Sequence, residues 1–267
     1  MERIYCVKSG NRSGHVIERD GAAHWLEGDL YGQYRAGEPV VLGDAVYAPS
    51  RVTDVPAAIR GLRALSVAGA NVTIPHKQAV IAHLDGVDEV ARRIGAVNCI
   101  VNRGGALRGC NTDREGLHRA LGPFSGQAVV LGAGGSARAA VDALRPHVTI
   151  VNRTPERAKE LARELGVAAG GLEAVPRADV VVNCTSVGMT RSAMPVDPAS
   201  LRGTLVDLVY EGPTGETALV RAARERGLRV IDGIEILVRQ AIASLEIWLS
   251  RPRLDELFPE LRKAALA

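Results

Sequence analysis

Gly132, Gly134 and Ala137 stand at G-x-G-x-x-A spacing in VVLGAGGSARAAV, between an apolar run and a helical pattern. At such a junction the first glycine permits a tight turn and the second lets the backbone approach a pyrophosphate. A small third residue allows the helix to pack closely on the strand. Ala133, Gly135 and Ser136 complete the turn, and the free N–H groups of the helix start favour phosphate. Gly-rich turns are common, so the placement after a strand and before a helix is what gives the spacing meaning. About 20 residues beyond the first glycine an NAD site carries an acid for the ribose hydroxyl. Here the chain has Asn152, Arg153, Thr154 and Arg157 instead. Two guanidiniums and two small hydrogen-bonding side chains suit a 2′-phosphate, and the missing carboxylate removes the repulsion that would reject it. The cofactor inferred is NADP. A helix cap at Thr154 followed by Pro155 accounts for those two residues without a ligand, but not for the arginines.

A second constellation lies upstream. NVTIPHK puts an amine at Lys77 just after a proline-terminated strand, and NTD puts Asp113 at the start of a helix. Lysine is scarce in this chain: besides Lys77 there are Lys8, Lys159 and Lys263. An amine and a carboxylate sharing a cleft can deliver the proton that a ketone oxygen needs as hydride arrives. Spacing alone favours a plainer reading, with Lys77 a solvated first-turn residue and Asp113 an ordinary N-cap. His76, His83 and His118 have no acid or cysteine partner at a useful spacing and read as surface or packing residues. Cys6, Cys99, Cys110 and Cys184 form no C-x-x-C pair and are expected to be reduced and mostly buried, with no metal site.

The elements that must position these residues alternate. From about residue 54, DVPAAIRGLRAL reads as a helix, AGANVTIP as a strand and KQAVIAHLD as a helix. AVNCIVNRGGALRGCNT reads as a hairpin, with a helix starting near Asp113. QAVVLG, VTIVNR, ADVVVNCT, GTLVDLVY and RVIDG then read as strands among helices, and ILVRQAIASLEIWL as a final amphipathic helix. The fold class predicted is α/β with parallel sheet covered on both faces. Residues 1–50 break the rhythm with short alternating segments and turn signals, and read as a small β-meander. The 267 residues carry 33 basic and 30 acidic side chains, interspersed, so no basic stripe argues for nucleic acid. No apolar run approaches the ~18 residues of a membrane span. The opening MERIYCVKSG lacks an apolar signal core, which predicts a cytoplasmic protein.

NVTIPHK, IGAVNCIVN, GCNTDREG, VLGAGGSARAA, NRTPERA, NCTSVGM, DLVY and DGIEILVRQA occur in the order and spacing of the shikimate dehydrogenase family. The chain resembles that family over about residues 53–267. The resemblance implies two domains: residues 53–113 and 239–267 for the substrate, and a Rossmann-like unit at 114–238 for NADP, behind an atypical β-rich segment at 1–52. It implies Lys77 and Asp113 as the catalytic pair. Asn71, Thr73, Asn98 and Gln240 look like partners of the substrate's ring hydroxyls, with Tyr210 near its carboxylate. Gly132, Ala133, Gly134, Gly135, Ser136, Ala137, Asn152, Arg153, Thr154, Arg157, Thr185, Ser186 and Gly233 look like cofactor contacts.

Two departures stand out. The family opens with an H-S-x-S-P segment whose serines hold the substrate carboxylate, and nothing in residues 1–50 reproduces it. The late motif has Glu235 at a usual glycine and Ile236 at a usual methionine beside the nicotinamide. Residues 1–50 are instead similar to the N-terminal segment of fumarylacetoacetate hydrolase-family proteins, without the metal-carboxylate cluster of a hydrolase after residue 53. The expectation is an NADP-dependent oxidoreductase interconverting 3-dehydroshikimate, or a related alicyclic ketone, and shikimate, as a monomer or homodimer. The alternative is an NADP-binding protein with a rebuilt substrate site and little or no shikimate activity.

Overall fold

The computed structural model describes residues 52–189, 193–210 and 216–266, together with five strand segments of the first 51 residues. Those segments are β1 (Arg3–Ser9), β2 (Arg12–Arg19), β3 (Ala22–Leu26), β4 (Val40–Leu42) and β5 (Ala45–Tyr47). β1, β2 and β3 pair antiparallel in sequence order, and β4 pairs antiparallel with β5. This is the β-rich N-terminus expected.

The larger sheet is built from the most apolar runs in the chain: β10 (Ala128–Leu131), β11 (Val148–Val151), β12 (Ala168–Ala169), β13 (Val180–Asn183), β14 (Thr204–Asp207) and β15 (Val230–Ile231). All are parallel, in the order β12-β11-β10-β13-β14-β15. Numbered from β10 this is the 3-2-1-4-5-6 arrangement, whose direction reverses at β10 and opens a crevice beyond the carboxyl ends of the strands. In β10, β11, β13 and β14 the runs are continuous because both faces are covered. Val130, Ile150, Val182 and Val206 face α4 (Gly135–Leu144) and α5 (Pro155–Leu165), against Val141, Leu144, Leu161 and Leu165. Val129, Leu131, Val181 and Leu205 face the opposite layer, with Leu201 and with Leu219 and Ala223 of α6 (Ala218–Glu225).

The smaller sheet has the order β6-β8-β9-β7, from β6 (Gly69–Asn71), β7 (Gly86–Val87), β8 (Cys99–Arg103) and β9 (Ala106–Cys110). Gly104 and Gly105, both at positive φ, close the β8–β9 hairpin in two residues. Val55 and Ile59 of α1 (Val55–Ala64) and Ala91 of α2 (Glu89–Ile94) cover it with Val80, Val97, Ile100 and Leu107. Three expectations change here. The strand at 68–75 ends at Asn71 and gives way to a turn with a cis Ile74–Pro75 bond. The following helix is a 3-10 segment, Ala79–His83, with only Val80 buried, since five residues offer no apolar face wide enough for a longer helix. The N-cap of α3 (Thr112–Leu121) is Asn111, whose side chain accepts from Arg114 N, so Asp113 is left free for other work.

Two helices join the sheets. α3 leads from the hairpin to β10, and α7 (Gly233–Leu249) returns from β15 to lie against α3. Their contact is close at Gly116, where a Cβ would fall 2.9 Å from Gln240 N and 3.0 Å from Gln240 Cβ. Asp232 caps α7 by accepting from Glu235 N and is gripped by Arg262 and Arg224. Beyond α7, Leu254, Leu257 and Leu261 pack back on Val238, Ile242 and Leu245 through α8 (Phe258–Leu266).

Candidate active site

Lys77 and Asp113 are 36 residues apart in sequence and meet side chain to side chain, Nζ 2.6 Å from Oδ2. Their side chains are 12% and 14% exposed, which rules out the solvated first-turn reading of Lys77. The turn that follows β6 brings in Lys77, and its carbonyl is held by Val97 N at 2.7 Å. The other carboxylate oxygen of Asp113 accepts from Asn98 Nδ2 at 2.9 Å. The amine and the carboxylate therefore share a partly desolvated site in which each constrains the other.

Asn98 is the hub of a polar shelf. Its Oδ1 accepts from Thr112 N at 2.7 Å, and its Nδ2 reaches Thr112 Oγ1 at 3.0 Å and Gln240 Oε1 at 3.4 Å. Thr112 Oγ1 and Ser244 Oγ are 3.0 Å apart, and Asn71 Nδ2 donates to Ser244 Oγ at 3.3 Å. Asn71, Asn98 and Gln240 thus come together on one shelf. Thr73 stands exposed on the turn and makes no side-chain bond to this shelf among the described residues. Thr112 and Ser244 belong to the shelf and were not singled out in the sequence. Ser244 lies one turn beyond Gln240 on α7, a helical spacing that could have found it.

The Gly-rich turn lies beside this pair. Gly132 has φ +111, and a Cβ there would come within 3.1 Å of the Cys184 carbonyl group, so the turn needs glycine twice over. Gly134 precedes α4 with no side-chain cap, and a Cβ on it would meet nothing within 4 Å. An uncapped helix start beneath open space is a cradle that a diphosphate fits. Ala137 is fully buried against the strands. Gly135 lies so near Lys77 that its Cβ would be 3.4 Å from the lysine Cβ and Cδ. The uncapped start of α4 and the Lys77 side chain are neighbours.

At the end of β11, Asn152 Nδ2 donates to the Thr154 carbonyl at 2.9 Å, while Arg153 and Arg157 are exposed. Thr154 occupies the N-cap position of α5 without a side-chain cap bond, so its hydroxyl is not used up by the helix. After β13, Thr185 N and Oγ1 both donate to Asn183 Oδ1, and Ser186 is exposed. Asn183 Nδ2, Val209 N and Thr217 Oγ1 all donate to the fully buried Asp207, whose carboxyl is raised by burial despite these bonds. This cluster ties Thr185, Val209 and Thr217 to the ends of β13 and β14. Burial, with Asp113 and Asp207 nearby, also pushes the Cys184 thiol up.

Gly233 is buried at the first turn of α7, where a Cβ would lie 2.6 Å from the Val209 carbonyl oxygen. Close packing against the end of β14 requires this glycine. Glu235 accepts from Arg239 Nε at 3.0 Å, and the Arg239 guanidinium lies 4.2 Å from the Phe258 ring centre. Ile236 is buried in the core with Val182 and Val206.

A family model described as the shikimate dehydrogenase substrate binding domain matches residues 42–100, and one described as shikimate / quinate 5-dehydrogenase matches residues 118–192. A shikimate dehydrogenase (NADP(+)) of Moorella thermoacetica is 44% identical over 223 residues, covering 74% of this chain and 75% of its own. The chain belongs to the shikimate dehydrogenase family. Another member, from Exiguobacterium sp., is 37% identical and covers 90% of each chain. Among solved structures, shikimate 5-dehydrogenase of Thermus thermophilus in complex with NADP(H) and shikimate superposes with a TM-score of 0.74. It is 37% identical, with 81% of this chain and 86% of that one covered. The ligand-free 5-ketofructose reductase of a Gluconobacter species gives a TM-score of 0.71 at 32% identity, covering 87% and 90%. The family-model match starts at residue 42, and the comparisons show no likeness to fumarylacetoacetate hydrolase-family proteins for the segment before it.

Proposed function

We propose that this chain is an NADP-dependent oxidoreductase that interconverts 3-dehydroshikimate and shikimate. The observation that carries the reading is the Lys77–Asp113 pair at 2.6 Å, set directly beside the uncapped start of α4. Residues 114–238 would hold NADP and residues 53–113 with 239–267 would hold the substrate. Gly132, Ala133, Gly134, Gly135, Ser136 and Ala137 would receive the diphosphate, and Asn152, Arg153, Thr154 and Arg157 the 2′-phosphate. Thr185, Ser186 and the Gly233 region would flank the nicotinamide. When bound, NADP(H) supplies or accepts the hydride.

The chain's own residues handle the proton. Lys77 Nζ, oriented by Asp113, holds the proton that the ketone oxygen takes up on reduction and receives it back on oxidation. Asn98 anchors Asp113 from the other side, so the carboxylate need not reorganise during the transfer. Asn71, Thr73 and Gln240 present groups for ring hydroxyls around that oxygen, and Tyr210 lies toward the carboxylate. A cytoplasmic protein, monomeric or homodimeric, accompanies this reading.

Shikimate oxidation with NADP, followed by nicotinamide absorbance, tests it: turnover is expected with NADP and is to be lost in Lys77→Ala. A second reading follows from residues 1–50, which lack the H-S-x-S-P serines. It makes the protein an NADP-binding relative with a rebuilt substrate site. NADPH binding without shikimate turnover would decide for this second reading.

A further inference from the structure

Arg138 has no part in the site as described, yet its residue is only 8% exposed. Leaving a buried guanidinium unpaired is costly, so its partners show what it holds. Nη1 donates to Glu164 Oε1 of α5 at 2.6 Å, with a second bond from Nη2 to the same carboxylate. Nη1 also donates to the Ile94 carbonyl at 3.3 Å, at the end of α2, where the helix dipole favours a cation. With the Gln78 amide turned so that its oxygen faces the guanidinium, Arg138 Nε and Nη2 lie 3.1 and 3.3 Å from it. Gln78 is the residue after Lys77. One side chain of the dinucleotide-fold helix therefore grips both the turn carrying the amine and the helix behind it.

The neighbours of Arg138 on α4 act the same way. Gly135, Arg138, Ala139 and Asp142 fall at i, i+3, i+4 and i+7, one face of the helix. Gly135 abuts Lys77, and Ala139 packs with Ile94 and Ala96. Asp142 accepts from Arg93 Nε and Nη2 at 2.6 and 3.0 Å. The helix whose start faces the phosphate cradle thus lies lengthwise on the segment that delivers Lys77.

We propose that Arg138 is a positioning residue that fixes the Lys77 turn against α4 through Gln78, so that the amine is held in register with the phosphate cradle. The proposal rests on Lys77 being the proton donor. Glu164 holds the guanidinium within the larger sheet's half, and Gln78 carries its effect to the amine.

Gln78 is exposed, so Gln78→Leu removes the crossing bond without opening a cavity. The full chain is treated with an amine-acylating reagent, and labelling of Lys77 relative to exposed Lys159 is read by peptide mass spectrometry. Labelling of Lys77 in Gln78→Leu is expected to rise about threefold or more over wild type as the turn loosens. Since misplacing a reacting group by 1 Å can cost about 10²-fold, kcat should fall roughly fivefold or more. The thermal midpoint and the NADPH dissociation constant should stay near wild type, which a merely structural effect would not allow. Arg138→Met should show the same labelling; if it fails to fold, Gln78→Leu decides alone. Labelling is the deciding readout, and wild-type labelling in Gln78→Leu overturns the proposal whatever kcat does. Labelling needs no turnover, so a wild-type protein inactive on shikimate would count against the proposed function and leave this test standing.

Discussion

At the scale of single residues the proposed proton path depends on one amine, Lys77. Lys77→Ala should lower kcat by about 10²–10⁴-fold while leaving the NADPH dissociation constant intact, measured by steady-state kinetics and fluorescence titration on the same preparation. Unchanged turnover would make Lys77 a packing residue. Arg153 and Arg157 are exposed, and among the described residues nothing engages them that explains their pairing. Replacing either with alanine should weaken NADPH by about 1.5–3 kcal/mol, the worth of a charge-assisted hydrogen bond, and leave NADH affinity unmoved. Equal losses for both cofactors would place the arginines elsewhere. The sequence singled these arginines out because a helix cap explains Thr154 but not two guanidiniums, and their exposed placement leaves them available. Lys77 with Asp113 was not legible from spacing, since a contact between residues 36 apart, brought together by strand pairing within the smaller sheet, leaves no local period to read. Only the family motifs brought the pair forward. Arg138 escaped notice because an arginine inside a helical pattern is ordinarily a solvated one.

At the scale of elements, the start of α7 is held by charge as well as by its cap. Burial alone would raise the Asp232 carboxyl, but Arg262, the Glu235 N–H and Arg224 outweigh it and hold it below the ordinary carboxylate value. A depressed carboxylate stabilises the fold fully above its unfolded value near about 3.9, and that contribution is lost as pH falls through the lower folded value. Asp232→Asn keeps a competent cap while removing the charge. Its thermal midpoint should drop at neutral pH by the equivalent of about 1.5–3 kcal/mol, and its decline below pH ~4 should be shallower than wild type. A parallel shift at all pH values would show that the ion pairs contribute nothing. The α3–α7 contact offers a second test: Gly116→Ala pushes a methyl onto Gln240 backbone and should cost about 1–3 kcal/mol in chemical denaturation. An unchanged midpoint would mean that the two helices can separate freely. The apolar runs announced β10, β11, β13 and β14, because strands buried on both faces admit little else. The segment after Lys77 misled, since its apolar residues suggest a helix although only Val80 is buried.

At the scale of the whole molecule, the proposed substrate's carboxylate needs hydrogen-bond donors, and residues 1–50 lack the H-S-x-S-P serines that the resemblance leads one to expect there. Shikimate should therefore saturate the enzyme poorly, with a KM above the common ~1 μM–1 mM range. Micromolar saturation in steady-state kinetics would show that other side chains have taken over the carboxylate. The family motifs made the two-sheet plan readable, but they say nothing where they stop, at the chain's first fifty residues. The return of α7 has a temporal side. During synthesis the chain's leading parts fold first, at about 5–20 residues per second, so roughly 6–25 s separate the emergence of Asp113 from that of Gln240. For that interval Asn98, Thr112 and Asp113 have left the ribosome while Gln240 and Ser244 have not, and a chain stalled before α7 would expose an amine and a carboxylate with half of their polar shelf still unmade.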